Sequence, residues 1–183
     1  MSPGFYMALG NEGLTVHPAT PIVRFYWNLH SSGPPRLVGA ATRVLNREQV
    51  PFRLKVISDP EGFTRCDAGV LYVERHDYLR VAQAVHGIYA GLAADMKSAT
   101  PVFTKQLAPG LALAEEPARP ADSFGTHRCG LLAEAIIRAC EQKTKAIQDR
   151  MKVLAACFAE EGLSLHTPFL NAGSVDDYHF PPP

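Results

Sequence analysis

Neither sign of charge is in excess: Lys and Arg together number 18, Asp and Glu 18, and the formal net charge is zero. Such a chain has no long-range field to draw it to nucleic acid or to an anionic membrane, so any anion it binds must be met by a local cluster of cations. Cysteine is sparse: Cys66, Cys129, Cys140 and Cys157 form no CxxC pair and suit neither a zinc site nor a compact disulfide framework. Free thiols in a reducing compartment are the expectation. Nowhere is an apolar run long enough to cross a bilayer. Met1 to Asn11 also lacks the charged and apolar regions of a secretory signal. These absences predict a soluble, cytoplasmic protein with neither nucleic acid nor membrane as partner. His17, His76, His86, His166 and His179 are scattered without metal-ligand spacing, and Gly10-Asn11-Glu12-Gly13 has none of the framing of a nucleotide loop.

What is present is the material of one globular domain. The chain has 183 residues, 46% of them hydrophobic, enough to bury a core without metal or disulfide support. Strands are expected over Gly4–Leu9, Ile22–His30, Pro51–Ser58 and Gly69–Glu74, the second and third alternating in polarity. Pro34-Pro35 predicts a helix over Arg36–Glu48, because proline suits a helix's first turn. Leu79, Ala82, Val85, Ile88, Tyr89 and Leu92 recur at helical spacing within Tyr78–Met96. Pro101–Ala114 reads as a hairpin turning at Pro109-Gly110, followed by a loop rich in proline and charge over Glu115–Asp122. From His127 to Glu161 the pattern is helical, as one long helix or as two with a break near Lys143, and the tail after Gly162 has no period. Strands grouped first and helices interspersed predict an α+β fold: one mostly antiparallel sheet with helices packed on one side, in a single domain. The catalytic unit is expected over residues 1–163 and an irregular tail over 164–183.

Alternation along two strands produces the feature that carries chemistry. Val23, Phe25, Trp27 and Leu29 fall on one face, and Arg24, Tyr26, Asn28 and His30 on the other. On the later strand Phe52, Leu54 and Val56 oppose Arg53 and Lys55. If the two strands neighbour each other in one sheet, their polar faces merge into a patch of cations and proton-transfer groups without a carboxylate. A solvated strand face also alternates in this way, but such faces usually mix both signs, and this one is basic or neutral throughout. Arginine's planar fork suits phosphate, and a lysine beside a tyrosine or histidine suits acid–base work.

Arg24-Phe25-Tyr26, followed by Arg53-Leu54-Lys55-Val56 and an Asp at 59, resembles the active-site strands of the phosphothreonine lyases injected by bacterial pathogens. The likeness is closer to relatives encoded in peptide natural-product clusters, the LanY-type lyases of class V lanthipeptide and thioamitide pathways. Those relatives carry the domain named after a plant-pathogen type III effector of the HopA kind. Ser123-Phe124-Gly125-Thr126-His127-Arg128-Cys129 also looks like theirs, and the resemblance runs from about Phe5 to Ala139. It implies Lys55 as general base, Arg24, Arg53, Arg65 and Arg128 as phosphate ligands, and Tyr72 as a supporting residue. The family's acid histidine is replaced by Tyr26, which leaves Tyr26 or His30 for that role, and its lysine two residues after the tyrosine is replaced by Glu74.

The implied reaction is β-elimination of phosphate from phosphoserine or phosphothreonine of a precursor peptide, with no metal or organic cofactor. Its product is dehydroalanine or dehydrobutyrine, and a partner kinase would supply the phosphorylated peptide. Asn28 or Tyr72 would stabilise enolate character at the peptide carbonyl. Two other classes remain open: a phosphopeptide-binding scaffold without turnover, and an effector acting on host kinases.

Overall fold

The computed structural model describes residues 4–14, 20–117 and 123–180. His17, most of the proline-rich loop and the terminal prolines fall outside them. Six strands form one fully antiparallel sheet in the order β1-β3-β4-β2-β6-β5. They are β1 (Phe5–Leu9), β2 (Ile22–Trp27), β3 (Phe52–Ile57), β4 (Gly69–Glu74), β5 (Lys105–Ala108) and β6 (Leu111–Glu115). Four α-helices accompany them: α1 (Gly33–Arg47), α2 (Tyr78–Gly91), α3 (Phe124–Glu141) and α4 (Ile147–Glu160). The domain is therefore α+β, as the grouping of strand and helix patterns predicts.

Local chemistry explains the element ends. Pro34 and Pro35 occupy the first turn of α1, where a missing N–H costs nothing. Ser123 caps α3, its hydroxyl accepting from the Thr126 N–H at 3.2 Å. Of the two helical readings of this region, two helices with a break is the one that forms: Lys143 takes φ +53° and lies between α3 and α4. The hairpin of β5 and β6 turns at Gly110, whose φ of +75° and approach to the Lys97 carbonyl leave no room for a Cβ. Strand β2 ends at Trp27 rather than His30, because Asn28 turns its backbone to Gly110 and Lys97 instead of continuing the ladder.

One face of the sheet is dry. Val23, Phe25, Trp27, Leu54, Leu71 and Leu113 are at most 1% exposed. Tyr78 at the start of α2 stacks on Phe25 at 6.0 Å, and Leu37 of α1 packs over Gly69 of β4. The start of α3 lies over the opposite face, where the Phe124 ring meets Tyr26 at 6.3 Å. Helices thus serve both faces, α1 and α2 on the dry one and the start of α3 on the other. The tail has no helix or strand among its described residues, yet it is part of the core. Phe169, Leu170 and Tyr178 are buried, and Tyr178 packs edge-on against Tyr78 at 4.8 Å.

Candidate active site

The two cation-bearing strands lie in one sheet but are not neighbours. Strand β4 runs between them and contributes the side chain that joins their faces. Register places Arg53, Tyr72 and Arg24 in one row across β3, β4 and β2, and Lys55, Val70 and Tyr26 in the next. Both guanidinium groups sit against the Tyr72 ring, Arg24 at 5.1 Å and Arg53 at 5.5 Å from its centroid. Lys55 and Tyr26 stand two strand spacings apart, roughly 10 Å between backbones, on either side of Val70.

The donors of this cluster are under-used. Lys55 makes no hydrogen bond or ion pair with any described residue; its ammonium rests over the Phe5 ring at 4.7 Å. The Tyr26 hydroxyl and the Arg53 Nε are buried and have no partner among the described residues. Buried donors without acceptors are costly in a folded protein and are expected where a ligand completes the bonding. Burial lowers the Lys55 pKa below the ordinary lysine value, and the charges of Arg24 and Arg65 reinforce the shift while Asp67 opposes it. Burial pushes the Tyr26 phenol up to about 12, partly offset by Arg24, so it is a proton donor at neutral pH. The Tyr72 phenol is raised for the same reason.

Two carboxylates join the cluster that strand alternation alone shows as free of acid. Glu116, just past the end of β6, takes the Nε and Nη2 edge of Arg24 with both its oxygens. Asp67 binds the Arg65 fork, with both contacts at 2.8 Å. Burial works against the Asp67 charge, but the Arg65 fork and the Lys55 ammonium outweigh it and hold the carboxyl below its usual range. Arg65 itself is mostly exposed and lies 5.8 Å from the Phe5 centroid, so Phe5 has the two cations against its ring. Neither Phe5 nor Glu116 stands out in the sequence. A strand ending in Glu115-Glu116 was the available signal, and it means little until β6 is known to pair with β2.

Three other expected site residues are placed differently. Asn28 is buried, with its amide donating to the Ala99 carbonyl at 2.8 Å and holding the turn beyond β2. His30 lies three residues past the strand end and is exposed, its backbone N–H bound to Asp95. Arg128 is 1% exposed and spends its donors on the fold: Nε to the Pro168 carbonyl at 2.7 Å, Nη2 to Leu170 at 2.8 Å, and Nη1 on the His127 ring. It anchors the tail. Glu74, on the same face beyond Tyr72, is buried and lies 3.3 Å from the His76 ring. Among the described residues no group of His, Cys, Asp and Glu is arranged to hold a metal ion. No helix is long and apolar enough to cross a membrane.

The chain is thus an α+β domain whose antiparallel sheet has one dry face and one face lined by cations and phenols. Residues 1–170 match the model of the HopA1 effector protein family, and the chain belongs to that family. The fold is that of the effector protein from Pseudomonas syringae pv. tomato strain DC3000, with a TM-score of 0.71 at 17% identity over 93% of this chain. The effector protein from Pseudomonas syringae pv. syringae strain 61 is similar at a TM-score of 0.64 and 18% identity over 85% of this chain. The matches span 65% and 59% of those two chains. No curated protein matches the sequence.

Proposed function

We propose that this protein is a lyase that eliminates phosphate from phosphoserine or phosphothreonine in a peptide, with Lys55 as the base. The observation that carries the reading is the pair of rows on one sheet face. Arg53, Tyr72 and Arg24 offer cationic donors to an anion, and Lys55 and Tyr26 flank the space beside them. Lys55 takes the α-proton, the Cα–H electrons become the Cα=Cβ bond, and the Cβ–O bond breaks to release phosphate. In this reading Tyr26, protonated at neutral pH and with no hydrogen-bond partner among the described residues, gives a proton to the leaving oxygen. A lysine can act as base near neutral pH only if its ammonium is disfavoured, and burial together with neighbouring arginines disfavours it here. In this reading Arg65 and Arg128 are indirect: one pairs with Asp67 beside Lys55, the other fixes the tail.

The resemblance to lanthipeptide-pathway lyases makes a ribosomal precursor peptide, phosphorylated in the cytoplasm by a partner kinase, the substrate we favour. The elimination itself calls for no metal or organic cofactor. A phosphopeptide-binding scaffold is the second reading, favoured by Tyr26 standing where related lyases have histidine and by His30 lying beyond the strand. The matched proteins are named effectors, so action on a host protein is a third reading. Mass spectrometry of phosphothreonine and phosphoserine peptides incubated with the protein tests the first. Loss of phosphoric acid by the wild type and not by Lys55→Ala is the expected result. Tight binding of an intact phosphopeptide would replace the lyase with the scaffold.

A further inference from the structure

The acceptor on the Arg24 fork is supplied by the protein itself. Glu116 grips Arg24 through two parallel contacts, Oε2 on Nε and Oε1 on Nη2, the arrangement with which an arginine fork receives a phosphate. Beside the pair stand the orphaned Tyr26 hydroxyl, on a residue 5% exposed, the orphaned Arg53 Nε, and the unpaired Lys55 ammonium. Arg24 is thus answered by a carboxylate, while the Tyr26 hydroxyl, the Arg53 Nε and the Lys55 ammonium have no hydrogen-bond partner among the described residues.

The two partners differ in mobility. The Arg24 side chain is 7% exposed and stacked on Tyr72, so it is held where it is. The Glu116 side chain is 29% exposed. Its main chain is pinned, the N–H to the Ile22 carbonyl at 2.8 Å and the carbonyl accepting from Asn171 Nδ2 at 2.6 Å. The carboxylate can therefore turn out to water about its own side-chain bonds while strand, tail and Arg24 stay in place.

We infer that Glu116 is an internal competitor, seated on the Arg24 fork when the site is empty and displaced when a phosphate monoester arrives, so that the site selects a dianion over a monoanion. A carboxylate from a peptide's Asp or Glu would merely exchange like for like on Arg24. A phosphoryl group carries nearly two charges at neutral pH and three acceptor oxygens, so it can take the fork and still answer Tyr26 and Arg53. This inference rests on the phosphate-binding part of the function proposed above and not on turnover.

Calorimetric titration at pH 8 of wild type, Glu116→Ala and Glu116→Gln with inorganic phosphate, a phosphothreonine peptide and acetate tests it, alongside thermal melting in each anion. Removing the competitor removes a like charge and frees a fork, so both variants are expected to bind phosphate and phosphopeptide about tenfold more tightly than wild type. Acetate is expected to bind and to raise the Tm of Glu116→Ala, and to do neither for wild type. If the alanine variant does not fold, the near-isosteric glutamine variant carries the same comparison. Phosphate binding that is unchanged or weaker in the variants overturns the inference and makes Glu116 a group that only holds Arg24 in position. If the wild type eliminates phosphate while the variants bind no tighter, the inference falls and the lyase stands. If no form of the protein binds phosphate or phosphopeptide, both fall together.

Discussion

The same strands build two faces of opposite character, and the contrast separates what holds this protein together from what it is equipped to do. On one face Phe25, Trp27, Leu54 and Leu71 are sealed under α1 and α2. On the other, alternate residues of the same strands are Arg24 and Tyr26, which are buried, and Arg53, Lys55 and Tyr72, which are half-buried; the Tyr26 hydroxyl and the Arg53 Nε have no partner among the described residues. The first face contributes hydrophobic stabilisation in proportion to the area it hides. The second holds desolvated donors that lower stability until an anion meets them. The division is not perfect, because the Trp27 indole N–H on the dry face also has no partner among the described residues.

Paired substitutions from the two faces would break or sharpen this contrast. Lys55→Ala is expected to lower elimination on the order of a thousandfold, the usual scale of a lost general base, with no loss of stability. Its counterpart Trp27→Ala, on the dry face, is expected to cost about 3–5 kcal/mol of stability in chemical denaturation. A Lys55→Ala that loses stability but keeps activity would erase the distinction between the faces.

Arg128→Met tests the buried cation that the structure assigns to the fold. It strands the Pro168 and Leu170 carbonyls, and a loss of roughly 2–4 kcal/mol is expected, with the tail becoming protease-sensitive. Wild-type stability together with weakened phosphate binding would return Arg128 to the site instead. A smaller effect is expected from Tyr26→Phe: removing an orphaned buried hydroxyl should raise stability by about 1 kcal/mol while slowing elimination. A variant that loses stability would show that the hydroxyl has a structural partner.

The pH dependence of Lys55 is the mildest test. Its folded pKa lies below the unfolded value because burial and Arg24 disfavour the charge. Between those two values the unfolded chain binds more protons, so this group's contribution to stability rises with pH and levels off above the ordinary lysine pKa. Activity should rise over the lower part of the same range, as Lys55 becomes a free base. Lys55→Met is expected to abolish the rise in stability, measured by denaturation at neutral and alkaline pH. A flat wild-type profile would mean that the lysine is solvated like any surface ammonium.

Much of the fold was legible because its signals are local. Alternating polarity defined β2 and β3, Pro34-Pro35 opened α1, and Pro109-Gly110 turned the hairpin to within a residue. Half of the candidate site was legible for the same reason, since alternation alone puts Arg24 with Tyr26 and Arg53 with Lys55. The rest depends on which strands meet. Tyr72 joins the two pairs because β4 lies between β3 and β2. Glu116 reaches Arg24 because β6 flanks β2 on the other side. Asn28 and His30 continue the alternation on paper, but the chain leaves the ladder after Trp27 and takes them elsewhere.

By itself, then, the sequence determined an α+β domain of balanced charge carrying two strands with apolar residues on one side and cations on the other. Side-chain alternation and turn chemistry act over a few residues and need no knowledge of the rest of the chain. Only the tertiary structure decided the order β3-β4-β2-β6, the burial of a periodless tail through Tyr178, the retirement of Arg128 to that tail, and the seating of Glu116 on Arg24. Each of these brings together residues far apart in the chain. Their proximity follows from how the whole core closes, which no local pattern encodes.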